Sequence, residues 1–143
     1  MKKLLIISFW IGIVADALAT ILLFSPSIAN FALQPKLFEI SEIYLYVSRV
    51  AGALMAGWTV LLIWGVQKPV ERADILIITL FPVVTILTIA AILVVRSDQI
   101  QFEKMVPMFV LYIVLFAVYL PSYFWAKRQN HITKGSSGRL SRR

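Results

Sequence analysis

Leu-Leu-Ile-Ile-Ser-Phe-Trp-Ile-Gly-Ile-Val-Ala-Asp-Ala-Leu-Ala-Thr-Ile-Leu-Leu-Phe, residues 4–24, is a run of 21 residues with a single charge in it, Asp16. About 20 apolar residues in a helix cross the hydrocarbon core of a bilayer, so this stretch is long enough to span one. Working outward, three further stretches meet the same criterion: Ile43 to Val66, Ile75 to Val95 and Met105 to Trp125. Lipid offers backbone amides and carbonyls no partners. Long apolar runs without strict alternation therefore predict helices rather than a barrel.

Composition agrees with that reading. Hydrophobic residues make up 60% of the 143 and charged residues 15%, with a mean hydropathy of +0.86; a soluble domain carries about 25% charged residues. The expected fold class is an all-α integral membrane protein, a four-transmembrane-helix bundle occupying residues 1–128. Residues 129–143 read as a flexible basic tail, because Lys134-Gly135-Ser136-Ser137-Gly138-Arg139 lacks apolar periodicity and matches the composition of an added linker. His131, the only histidine, stands at that boundary without a second ligand and carries no expected role.

The start has a rival reading. Met1-Lys2-Lys3, an apolar run and Ala17-Leu18-Ala19 resemble a secretory signal with its cleavage site. Asp16 interrupts the apolar region just before that site, and hydrophobicity continues through Phe24. A retained first span is expected.

Orientation follows the basic residues of the short connections. Lys2, Lys3, Lys68, Arg72, Lys127, Arg128, Lys134, Arg139, Arg142 and Arg143 lie on one side, against Lys36, Arg96 and Lys104 on the other. Both termini are expected to be cytoplasmic. The pI near 10.0 then reports topology and contact with lipid headgroups, and no nucleic-acid partner is expected. The short connections 67–74 and 96–104 predict antiparallel neighbours for spans two and three and for spans three and four. The longer connection, Ser25 to Glu42, carries enough apolar surface to lie along the outer interface as a lid, a partner surface or a plain link.

An aspartate near the bilayer centre costs roughly 2.5–3.5 kcal/mol on insertion scales, so it calls for a reason. Ser8, Gly12, Asp16 and Thr20 recur every four residues and form one helix face, expected to point inward. On span two, Ser48, Gly52 and Ala56, with Ala53 and Gly57 beside them, make a small-residue packing surface. Arg49 shares that span. At ~1.5 Å per residue it lies about 9 Å below the outer end of its helix and Asp16 about 12 Å below the same side. An Asp16–Arg49 ion pair between spans one and two is expected. It would either specify helix register or serve as a site that binds a ligand, moves a proton or gates a path.

Ser8, Thr20, Thr85, Thr88, Tyr112 and Tyr119, with Tyr123, are candidate cavity-lining groups, although such hydroxyls commonly bond helix carbonyls instead. Pro82 and Pro121 are candidate kinks. Several aromatic residues, Trp10, Trp58, Trp64 and Trp125 among them, are candidate interfacial anchors. With no cysteine, no H-E-x-x-H and no paired histidines, neither a metal nor another cofactor is expected, and no nucleophile, base and orienting partner stand together.

Arg49, the small residues Gly52 to Gly57, Gly57-Trp58-Thr59, Trp64-Gly65, Lys68-Pro69-Val70-Glu71-Arg72 and Phe81-Pro82-Val83 resemble the central part of small uncharacterised prokaryotic four-span proteins. The resemblance implies a prokaryotic inner-membrane location and carries no activity, cofactor or catalytic residue. Small multidrug-resistance transporters also place an acid in the first span, but theirs is a glutamate, and the charge bias here departs from dual orientation. Two functions are in contention: a noncatalytic scaffold or accessory subunit, possessing a membrane-protein partner or a homo-oligomeric state, and a small-solute or lipid transporter. A lipid-modifying enzyme ranks third.

Overall fold

The structure is a computed structural model that describes residues 2–25, 27–28, 41–98 and 100–140, with side chains as far as residue 130. Among the described residues four helices are long and apolar enough to cross a membrane: α1 (Lys2–Phe24), α2 (Glu42–Gln67), α3 (Asp74–Arg96) and the Phe102–Asn130 part of α4 (Phe102–Leu140). The chain is an all-α, multi-pass membrane protein. α1 is flanked by α2 and α4, and α4 by α1 and α3.

Each helix end is set by local chemistry. Ser41 caps α2 by accepting from the Tyr44 amide at 3.2 Å. At the other end of α2, Lys68 donates its amide to the Gly65 carbonyl at 3.2 Å, and Pro69 cannot continue the ladder. Arg72 folds back over the turn: its guanidinium lies 3.4 Å from the Trp64 ring centroid and donates to the Trp64 carbonyl. A cation there satisfies one of the free carbonyls at a helix C-terminus and meets the negative end of the dipole. After α3, Asp98 takes a positive φ of 56°, which turns the chain sharply toward α4.

Pro82 does more than bend α3. It has no N–H and its ring collides with the carbonyl one turn back, so residues Thr79–Val84 adopt a wider π-helical turn. Thr85 closes it: its amide and its hydroxyl, the latter at 3.3 Å, both reach the Leu80 carbonyl five residues earlier. Proline also sits inside α4 at positions 107 and 121.

The packing of α1 on α2 is antiparallel and exploits glycines. A Cβ on Gly65 would strike the Phe9 ring, and one on Gly52 would meet Phe24 Cε2 at 2.9 Å. Phe9 and Leu62 are fully buried in this contact. Ser48 donates its hydroxyl at 2.6 Å to the Leu23 carbonyl, one of the free acceptors at the end of α1.

α2 touches both of its sequence neighbours, packing most extensively on α1 and meeting α3 through the Trp58–Thr79 hydrogen bond of 3.0 Å. Two expectations need correction. Gly57 and Ala53 are exposed and Ala56 is half-buried; no described residue lies within 4 Å of a Cβ built at Gly57. Of the small-residue set only Gly52, with Ser48, forms the tight contact. Trp58 spends its indole N–H inside the bundle and is not an end anchor. The backbone of α4 is helical through Leu140. The proposed lid segment falls mainly on residues 29–40, which lie outside the described residues, as does the side chain of His131.

Candidate functional site

The inward stripe of α1 faces α4. Ser8 is fully buried; its hydroxyl donates to the Leu4 carbonyl at 2.8 Å and lies 2.7 Å from the Ser122 hydroxyl. With the Ser8 proton committed to Leu4, Ser122 is the donor across the seam. One turn on, the Tyr119 hydroxyl rests against Gly12, where a side chain would displace it. The pairings Ser8 with Ser122 and Gly12 with Tyr119 run antiparallel, and Asp16 is the next residue of the stripe.

Asp16 is half-buried, but its Oδ2 is buried and has no hydrogen-bond partner among the described residues. The Tyr112 and Tyr119 hydroxyls are in the same state, their side chains only 6% and 1% exposed. Three buried polar oxygens without partners in two adjacent helices form the most unusual feature of this membrane domain, since most buried polar groups find partners. Thr20, the last member of the stripe, bonds the Asp16 backbone carbonyl at 2.8 Å and leaves the carboxylate alone.

Arg49 does not come to Asp16. It is exposed, and among the described residues the ion pair present is Lys68–Glu71, at 3.3 Å on the surface. Depth bookkeeping gave the two charges similar heights, but height does not fix rotation about the helix axis. Ser48 and Gly52 point at α1, so Arg49, a residue on from Ser48 and about 100° around the helix, points away.

The remaining candidates divide. Thr88 bonds its own helix at the Val84 carbonyl, 2.7 Å away, and Thr85 closes the π turn, so both hydroxyls are engaged with α3 itself. Tyr123 is half-buried beside Lys127 at the far end of α4. Thr79, absent from the candidate set, accepts from Trp58 and donates to the Ile75 carbonyl at 2.8 Å. Ser122 was missed as well, yet a signal for it exists. Continuing the Tyr112–Tyr119 face at steps of three and four gives Leu115, Ser122 and Ala126, every one of them buried. Among the described residues no three His, Cys, Asp or Glu side chains gather to hold a metal.

No family model matches this chain, and no characterised protein or solved structure shows significant similarity to it. Class is therefore defined by fold and chemistry alone: a small multi-pass helical membrane protein with a polar α1–α4 seam.

Proposed function

We propose that this protein is a noncatalytic scaffold or accessory subunit of a prokaryotic inner membrane, with both termini cytoplasmic, that associates through the outer face of α2 with a membrane-protein partner or a second copy of itself. The observation that carries the proposal is Arg49. It stands inside a span, exposed and about 9 Å from the helix end, where a charge facing lipid alone is costly. Ala53 and Gly57 follow it at four-residue spacing, equally exposed, so the backbone of α2 is open to close approach by another helix. Within the chain, Ser8–Ser122, Ser48–Leu23 and Trp58–Thr79 spend polar side chains on holding helices together.

Purification of tagged protein from native membranes in mild detergent tests this. A stoichiometric membrane-protein complex or homo-oligomer is expected that Arg49→Gln and Gly57→Leu disrupt while helical content is retained. A monomer unaffected by either change overturns the proposal. A second reading, solute or lipid transport, draws on the unpartnered oxygens of Asp16, Tyr112 and Tyr119. Loss of flux with unchanged assembly in Asp16→Asn would select it.

A further inference from the structure

A second polar feature lies away from the seam. Between the α2–α3 turn and the end of the α4 span is a cleft of about 130 Å³ whose lining includes Val70, Glu71, Asp74, Tyr123, Lys127 and Asn130. It sits at the level where α2 has ended at Gln67 and α3 has just begun at Asp74, the depth of lipid headgroups for helices of this length.

Its walls are tied together. Asn130 donates one amide hydrogen to the Val70 carbonyl at 2.8 Å, which fixes α4 to the turn. Lys127 extends along Tyr123, its Nζ 5.6 Å from the ring centroid and 3.5 Å from the hydroxyl. The cleft thus holds a cation on the α4 side and two acids, Glu71 and Asp74, on the other. Lys127 forms no ion pair with either of them: the pair made in this region is Lys68–Glu71. Opposite charges that line one cleft more than the ion-pair limit of 4 Å apart are complementary to a ligand carrying both charges in reverse order.

We propose that this cleft binds the zwitterionic headgroup of a phosphatidylethanolamine-class lipid, with the ammonium against Glu71 and Asp74 and the phosphate against Lys127 and the second amide hydrogen of Asn130. A primary ammonium donates three hydrogen bonds to carboxylates; the trimethylated ammonium of a choline lipid donates none and is bulkier. A purely anionic headgroup gains Lys127 but meets two acids. The position at headgroup depth favours a lipid over a soluble amine phosphate.

The test uses the full chain, delipidated in detergent and supplied with ethanolamine, choline or glycerol phospholipids of identical acyl chains, or with free phosphoethanolamine. Bound lipid is read by native mass spectrometry and by the shift in unfolding temperature. Preferential retention of the ethanolamine lipid is expected, weakened about tenfold by Lys127→Gln and by Asp74→Asn, each of which removes one charge-assisted contact. Asp74 is also an acid in the first turn of α3, so Lys127→Gln decides the matter if Asp74→Asn fails to fold. Equal retention of the choline lipid, strongest retention of the glycerol lipid, an equal effect of free phosphoethanolamine, or unchanged preference in Lys127→Gln each overturns the proposal.

Discussion

Replacing glycine by alanine at three positions of α2 should give three different answers, although the chemical change is the same. In a helix interior the substitution gains up to ~1 kcal/mol of backbone propensity. At Gly57 no described residue lies within 4 Å of the new Cβ, so that gain is realised and Gly57→Ala should be neutral to stabilising by about 1 kcal/mol. At Gly65 the Cβ enters the Phe9 ring, with Cδ1 and Cζ both at 3.1 Å and a third ring atom closer still. Phe9 is fully buried and has nowhere to go. Overpacking of this kind costs about 1–3 kcal/mol, which exceeds the propensity gain over most of that range and leaves Gly65→Ala destabilising by roughly 0–2 kcal/mol. Gly52 falls between. Its Cβ meets Phe24 at 2.9 Å, but Phe24 is 52% exposed at the end of α1, and its ring can swing aside. Reversible unfolding in mixed micelles, followed by helical circular dichroism, should rank the variants Gly57→Ala, Gly52→Ala, Gly65→Ala from most to least stable, with about 1–3 kcal/mol between the extremes. Equal stabilities, or a Gly65→Ala variant more stable than Gly57→Ala, would refute the α1–α2 packing described above.

Two further predictions concern the polar groups. A double-mutant cycle on Ser8→Ala and Ser122→Ala should return a coupling of about 0.6 kcal/mol and no more than ~1.7, the range for interhelical hydrogen bonds in membranes; zero coupling would dismantle the seam. Asp16→Asn and Arg49→Gln should act additively on unfolding free energy, to within ~0.5 kcal/mol, because the two side chains share no contact; larger coupling would restore the ion pair.

Ser8, Gly12, Asp16 and Thr20 were legible as one face because a helix repeats every 3.6 residues. Their individual duties were not, since Ser8 finds Ser122 only after α4 is docked. Gly65 is as essential to the α1–α2 contact as Gly52, yet a glycine near a helix end reads equally well as a terminator, and only the position of Phe9 separates the two roles. The Pro82 kink was readable as a break in hydrogen bonding. That the chain absorbs it as a π turn, with Thr85 supplying the closing bonds, is seen only in the folded backbone of α3.

The sequence by itself determined the class of protein, the four apolar helices and the polar stripe on α1, because these follow from span length, composition and helical period, all of them local properties. Only the tertiary structure decided that the stripe faces α4, that α2 packs on α1, and that Arg49 points outward while Asp16 stays unpartnered within the seam. Rotation of each helix about its own axis settles those contacts. Helix rotation is fixed by how side chains of different helices interlock, and in a chain apolar on nearly every face the hydropathy pattern carries little record of it.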